Sequence, residues 1–130
     1  MFLKTNKSIL FFAFLFCASC YDVELNCKDF KTGKFKFETK VNGVTKTTYF
    51  DRNDSIEIEN YEGKIDTSTI RWVNDCEYIL KKKHPKSSAD EKAIDVRILS
   101  TTKKSYLFEF GWVGNEQKKQ GKAEKVILNH

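Results

Sequence analysis

The chain has 130 residues, a length that accommodates one domain and leaves little room for a second. Its 23 basic and 18 acidic residues give a formal net charge of +5, and Lys4 and Lys7 supply two of the positive charges. From Cys20 onward, 21 basic residues stand against 18 acidic ones, a net charge of +3 with both signs interspersed. This balance is that of an ordinary solvated surface, so we expect no nucleic-acid partner.

The first 19 residues have the composition of a secretory signal peptide. Lys4 and Lys7 precede the uncharged apolar run Ile9–Ala18, and small residues close the segment before Cys20. At about 1.5 Å of rise per residue, this run is too short to span a hydrocarbon core of about 30 Å as a helix. We therefore predict that residues 1–19 form a cleaved signal peptide rather than a lasting transmembrane helix.

The residues around the predicted cleavage site resemble a bacterial lipobox, with Ala18 and Ser19 directly before Cys20. The resemblance implies that the Cys20 thiol is acylated, for example with palmitate, and that residues 20–26 form a lipidated tether. The sequence departs from the pattern at Cys17, where leucine is commonest. The expected location is the bacterial cell envelope, with the periplasmic face of the outer membrane favoured over the cell surface. The alternative is an ordinary secreted protein that is cleaved nearby and leaves Cys20 free.

Cys17 and Cys20 have the C-x-x-C spacing of a redox site or of half a zinc site. Cleavage before Cys20 would discard Cys17, and acylation would consume the remaining thiol. A zinc site needs about four ligands at motif spacing, and the two histidines, His84 and His130, are far from these cysteines in sequence. We therefore predict no metal and no cofactor.

Two cysteines, Cys27 and Cys76, remain after the predicted processing. In an oxidising envelope compartment they most simply form one disulfide, with two buried free thiols as the alternative. A bridge between them would close a loop of about 50 residues and stabilise the fold by roughly 4 kcal/mol.

From Phe30 onward the dominant hydrophobic period is two, as expected for half-buried strands. In GKFKFETKVNGVTKTTYF, apolar residues alternate with charged ones, and Asn42-Gly43 is a strong signal for a type I′ hairpin. Placing the turn there puts the apolar side chains on one face and the lysines on the other, so the turn and the pattern specify the same register. The predicted pairs are Val41–Val44, Phe37–Thr48 and Phe35–Phe50.

Six further segments are predicted as strands, separated by turns or loops. They are SIEIENY with Ile56 and Ile58 inward, KIDTSTIRWV with Ile70 and Trp72, CEYILKK with Cys76, Tyr78 and Leu80, KAIDVRILS with Ile94, Val96 and Ile98, SYLFEFGWV with Tyr106, Phe108, Phe110 and Trp112, and finally KAEKVILN. The polar stretch HPKSSADE, which holds the only proline, is predicted to be a loop, and NEQKKQG a turn or frayed segment.

About eight short strands at roughly ten-residue spacing predict an all-β fold, an antiparallel meander. We expect the meander to close into a small lipocalin-like barrel, because closure removes exposed strand edges. A two-sheet sandwich is the alternative. The predicted organisation is a signal peptide over residues 1–19, a tether over 20–26 and a single β domain over 27–130.

Two segments, CKDFKTGKFKF and RWVNDCEYIL, resemble a group of small, uncharacterised envelope lipoproteins of the Bacteroidetes type. The matching residues are Cys27, Phe30, Gly33, Phe35, Trp72, Cys76, Tyr78 and Leu80. The resemblance covers about half of the chain and implies a Cys27–Cys76 bridge and a compact β domain, but no catalytic residues. Some members carry the name of a DNA topoisomerase IV subunit, an activity that requires a much larger cytoplasmic machine.

Motifs for nucleophilic, metal-dependent or nucleotide-dependent catalysis are absent from the sequence. The acidic pair Glu57/Glu59 is predicted to alternate outward from its strand onto a solvated face. Eight aromatic residues are predicted to fill the core or to face a ligand at an open barrel mouth. They are Phe35, Phe37, Phe50, Trp72, Tyr106, Phe108, Phe110 and Trp112.

These features predict a membrane-anchored lipoprotein with a non-enzymatic β domain. Its partners would be the membrane, through N-terminal acyl groups, and an unknown ligand or envelope protein. One alternative is a small envelope hydrolase that uses exposed carboxylates. Another is an inhibitor or assembly accessory that acts through a loop such as residues 84–91.

Overall fold

The computed structural model describes residues 25–127, which form a short 3₁₀ helix followed by eight strands. The helix spans Cys27–Phe30. The strands are β1 (Gly33–Val41), β2 (Val44–Arg52), β3 (Ile56–Tyr61), β4 (Lys64–Asn74), β5 (Glu77–Lys82), β6 (Ile94–Thr101), β7 (Ser105–Trp112) and β8 (Lys119–Lys125). The predicted signal peptide, Cys20 and most of the tether lie outside the described residues. The described part of the chain contains no helix that is long and apolar enough to cross a membrane.

The eight strands form a closed antiparallel barrel in which each strand pairs with its neighbours in sequence. The barrel closes between β1 and β8 through the pairs Phe35–Lys125, Lys36–Glu124 and Phe37–Ala123. The predicted all-β meander and its closure into a small lipocalin-like barrel are therefore confirmed, and the two-sheet sandwich is not formed. Among the described residues, the buried core extends from Cys27 on the 3₁₀ helix to Ala123 on β8.

The β1–β2 hairpin has the register that its sequence predicts. Val41 pairs with Val44, Phe37 with Thr48 and Phe35 with Phe50. Asn42 and Gly43 have φ angles of 52° and 80°, the positive values that a two-residue type I′ turn requires.

Strand β3 contradicts the prediction that Ile56 and Ile58 face the core while Glu57 and Glu59 face solvent. Glu57 is buried at 8% exposure, whereas Ile58 is 44% exposed. The cause is the register of the β2–β3 hairpin, which places Glu57 directly opposite Arg52. Because side chains alternate between the two faces of a strand, this one pairing reverses which residues of β3 face the core.

The last strand also differs from the prediction, which placed it over Lys122–Asn129. Strand β8 spans Lys119–Lys125, and residues 128–130 lie outside the described part. Gly121 on this strand lies under two aromatic rings, and a Cβ there would come within 2.9 Å of Phe108 and still closer to Phe37. The middle of the inward face of β8 carries the small residues Gly121 and Ala123, because the rings of β1 and β7 fill the space there.

The two ends of the barrel differ. At the end where β1, β3, β5 and β7 begin, the 3₁₀ helix covers the interior, and Phe30 is fully buried. The predicted disulfide between Cys27 and Cys76 is confirmed, with an S–S distance of 2.06 Å. We call this end the closed end. The opposite end, where the loops 83–93 and 113–118 lie, is called the mouth.

Candidate functional site

The structure divides the eight predicted aromatic residues into two groups at opposite ends of the barrel. Four surround a buried arginine near the closed end: Phe35, Phe50, Trp72 and Tyr106. The other four lie towards the mouth: Phe37, Phe108 and Phe110 pack against one another as an aromatic stack, and Trp112 lines the mouth cleft together with Phe110. Only Trp112 among the eight is exposed, at 43%. The other seven belong to the buried core or pack against it. Contact of Trp112 with a ligand stays a prediction.

Arg52 is the centre of the closed-end group and is 1% exposed. Its Nη1 donates to Glu57 Oε1 at 3.1 Å and to the Tyr78 hydroxyl at 2.6 Å. Its Nη2 donates to the Tyr106 hydroxyl at 3.1 Å. Nη2 and Nε also donate to the backbone carbonyls of Phe30 and Lys31, at 2.6 and 3.2 Å. One guanidinium thus connects the helix at the closed end to strands β2, β3, β5 and β7.

The surroundings of Arg52 keep it charged. Burial opposes the charged form, but Tyr78, Tyr106 and Glu57 outweigh this effect and raise the pKa of Arg52 above its ordinary value. The ring centroids of Phe35 and Tyr78 both lie 4.8 Å from the guanidinium carbon, a cation–π distance. Planar geometry and five donors make arginine suited to such an enclosed site.

Glu57 is the anionic partner of Arg52. Burial raises the pKa of the Glu57 carboxyl to about 7, although Arg52 acts in the opposite direction. The side chain is only 10% exposed and its oxygen is held by the guanidinium. We interpret this pair as a structural connection inside the barrel, because the carboxyl is buried and already bonded to the guanidinium.

The other acid of the predicted pair, Glu59, also turns inward, towards a polar cluster near the mouth. Burial and the neighbouring Asp66 raise the pKa of Glu59. Lys82 Nζ lies 3.5 Å from Asp66 Oδ2 and 3.3 Å from Asp90 Oδ1. These contacts attach the loop after β5 to the barrel wall.

A cleft of about 640 Å³ opens at the mouth between the start of β6, the end of β7 and the β7–β8 loop. Ile94, Phe110 and Trp112 form its apolar wall. Phe110 also packs against Phe37 and Phe108, with ring centroids 6.4 and 5.6 Å away. The aromatic stack therefore closes the cleft towards the interior and makes it a shallow site at the rim.

The opposite wall of the cleft is polar and basic, with Asn115, Gln117, Lys118 and Lys119. Gly111 lies between the apolar and polar walls, where a Cβ would come within 2.9 Å of the Gln117 carbonyl oxygen. A hydrogen bond from Val113 N to Ala93 O, 3.0 Å long, joins the two loops beside the cleft.

Comparisons of the chain with protein-family models, with curated proteins and with solved structures found no match. Within residues 25–127, no group of three or more histidine, cysteine, aspartate or glutamate side chains is placed to hold a metal ion. The mouth cleft is therefore the site on which we base a functional proposal.

Sequence reasoning missed Arg52 and the residues of the β7–β8 loop. Arg52 follows Thr48 and Phe50 at the period of two and so continues the inward series of β2 to the last residue of the strand. That period was a usable signal for an inward arginine. The loop residues Asn115 and Gln117 gave no such signal, because their placement depends on barrel closure.

Proposed function

We propose that this protein is a lipoprotein of the bacterial envelope that is anchored through Cys20 and binds a small apolar ligand at the barrel mouth. The cleft lined by Ile94, Phe110 and Trp112 supports the binding part. Its volume falls within the usual range of about 300–1,000 Å³ for small-molecule sites. An exposed tryptophan beside a half-buried phenylalanine gives a ligand ring two aromatic surfaces to contact.

The lipobox and the Bacteroidetes-type sequence pattern support the anchoring part of the proposal. The described chain enters the barrel at the closed end, where Asn26 N donates to Thr101 Oγ1 at 3.0 Å. Seven residue steps from Cys20 to Cys27 reach at most about 25 Å. In the anchored protein the closed end would thus face the membrane and the mouth would open away from it.

Replacing Cys20 with serine is expected to abolish acylation and to release the chain from the membrane fraction. Two or more acyl chains give stable membrane binding, and without them the chain has no anchor of this kind. The measurement is incorporation of labelled palmitate, followed by fractionation of the producing bacteria. Cys17→Ser is the control and should keep both label and membrane location, because Cys17 would leave with the signal peptide. A wild-type chain that is unlabelled and soluble would contradict the anchor.

Ligand binding at the mouth is expected to depend on Trp112. We expect Trp112→Ala to weaken the binding of N-phenylnaphthylamine, an uncharged aromatic probe, about tenfold or more, because losing a buried aromatic contact costs roughly 1.5–3 kcal/mol. The measurement is probe fluorescence in a titration of residues 21–130, which contain the complete barrel.

The matched control for that titration is Leu107→Ala, which removes an exposed apolar side chain from the outer face of the same strand. This variant should bind the probe like the wild type. In a Trp72→Phe chain, Trp112 is the sole tryptophan, so energy transfer to the bound probe would report its proximity. Equal weakening in both alanine variants, or no binding by the wild type, would contradict the proposed site.

A further inference from the structure

We infer that the ligand of the mouth cleft carries an anionic group next to its apolar part, and that Lys119 contacts this group. The inference rests on the proposed function and adds the charge of the ligand to it. Three observations carry it: the position of Lys119, the absence of an ion-pair partner for it among residues 25–127, and the charges around the cleft.

Lys119 lies opposite Phe110 in the β7–β8 pairing. Side chains of directly paired residues point to the same face of a sheet, with Cβ atoms about 4.5–5.5 Å apart. Because Phe110 forms the apolar wall, Lys119 presents its ammonium at the rim of the same cleft. An apolar group on Phe110 would thus bring a neighbouring anion within reach of Lys119.

Lys119 makes no salt bridge with another residue in the described part of the chain, and it is exposed. Lys118 differs, since its Nζ lies 3.7 Å from Asp95 Oδ2 and 3.5 Å from the Trp112 carbonyl oxygen. A third lysine, Lys92, has its Nζ 4.3 Å from the centroid of the Trp112 ring. The cation best placed to take a new anion is therefore Lys119.

The charges around the cleft also favour an anion. Its described lining includes two lysines and no acid. In the adjoining pocket, the positive charge of Lys92 from the loop 83–93 is offset by the negative charge of Glu116 from the loop 113–118. Asp95 offsets only Lys118. The excess is positive beside an apolar wall, which selects an amphipathic anion over a neutral or cationic molecule of the same shape.

The depth of the cleft limits the apolar part of the ligand. Phe37, Phe108 and Phe110 close the interior below it, and Gly121 has no space above its Cα for even a methyl group. A long acyl chain would therefore not enter the barrel. The ligand class that fits is a compact ring system or short chain with a carboxylate, sulfonate or phosphate.

The test compares two probes that share one ring system and differ by a sulfonate group, anilinonaphthalene sulfonate and N-phenylnaphthylamine, on residues 21–130. We expect Lys119→Gln to weaken binding of the sulfonate about fivefold and to change binding of the uncharged amine by less than twofold. The matched control is Lys122→Gln, which removes the same charge from the outer face of the same strand and should change neither value by more than twofold. Raising the ionic strength should shrink the wild-type preference for the sulfonate.

Each other outcome overturns the inference in a recognisable way. If Lys119→Gln weakens both probes equally, Lys119 shapes the cleft and does not recognise an anion. If it changes neither, Lys119 does not contact the anionic group. An equal effect of Lys122→Gln would show that the sulfonate responds to the overall positive charge of the protein rather than to Lys119. If sulfonate and amine both bind through Trp112 but ignore Lys119, the proposed function stands and only the inference fails. If neither probe depends on Trp112, the proposed function itself fails.

Discussion

Replacing Arg52 with methionine is expected to lower the free energy of unfolding by about 3–5 kcal/mol, the largest effect of any single substitution that we predict. The change leaves the Glu57 carboxyl buried without its cation. It also removes the hydrogen bonds that Arg52 donates to the hydroxyls of Tyr78 and Tyr106 and to the carbonyls of Phe30 and Lys31. Equilibrium unfolding in denaturant, followed by circular dichroism, measures the loss.

The pH dependence of this loss identifies its cause. Burial already raises the pKa of Glu57 to about 7, above its ordinary value of 4.5. Between these two pH values the folded chain therefore holds a proton that the unfolded chain has released. The stability due to this group is greatest at low pH and is lost as the pH rises from 4.5 through 7. Without Arg52 the pKa rises further, so the loss in Arg52→Met should be larger at pH 8 than at pH 5.

Two variants serve as controls for Arg52→Met. Arg97→Met removes an exposed arginine whose Nη2 lies 3.6 Å from Glu77, and it should cost less than about 0.5 kcal/mol. The double variant Arg52→Met/Glu57→Leu removes the unpaired acid and should recover part of the stability. If Arg52→Met is as stable as Arg97→Met, the buried guanidinium does not hold the closed end together.

Removing the disulfide with Cys27→Ala/Cys76→Ala is expected to cost about 4 kcal/mol of unfolding free energy. The bridge joins residues 49 apart in sequence, and it ties the 3₁₀ helix to the β4–β5 turn. Without it, the unfolded chain gains the freedom of a loop of about 50 residues. The measurement is equilibrium unfolding in denaturant, with the midpoint and the slope both fitted, because the freed loop also changes the slope.

Reduction of the wild-type protein should reproduce the effect of the double alanine variant. The variant itself should be insensitive to reductant, which separates loss of the bridge from other effects of reducing conditions. An alanine variant with the wild-type midpoint would contradict a stabilising role for the bridge.

Local signals predicted those parts of the fold that local chemistry determines. Asn42-Gly43 set both the turn and the register of the first hairpin, because positive φ angles and the apolar alternation required the same pairing. Alternation also placed Val96 and Ile98 inward, where they are 4% and 2% exposed. The number of strands followed from the same pattern.

The errors arose where contacts between strands override the pattern within one strand. Glu57 and Ile58 exchanged faces because Arg52 pairs with Glu57 in the β2–β3 hairpin, an interaction that alternation within one strand does not encode. Strand β8 began three residues before the predicted start because Gly121 accommodates the Phe37 and Phe108 rings. The polar wall of the mouth depends on the closure of β8 against β7 and β1, so its residues could not be assembled from the sequence.

We propose that the barrel mouth is the binding surface of this protein, and amide chemical-shift mapping of residues 21–130, titrated with N-phenylnaphthylamine, tests this proposal most directly. We expect shifts confined to Ile94, to Phe110–Trp112 and to residues 113–119. Shifts centred on the exposed outer-face residues Tyr49, Ile58 and Ile65, or on the closed end around Cys27, would contradict it.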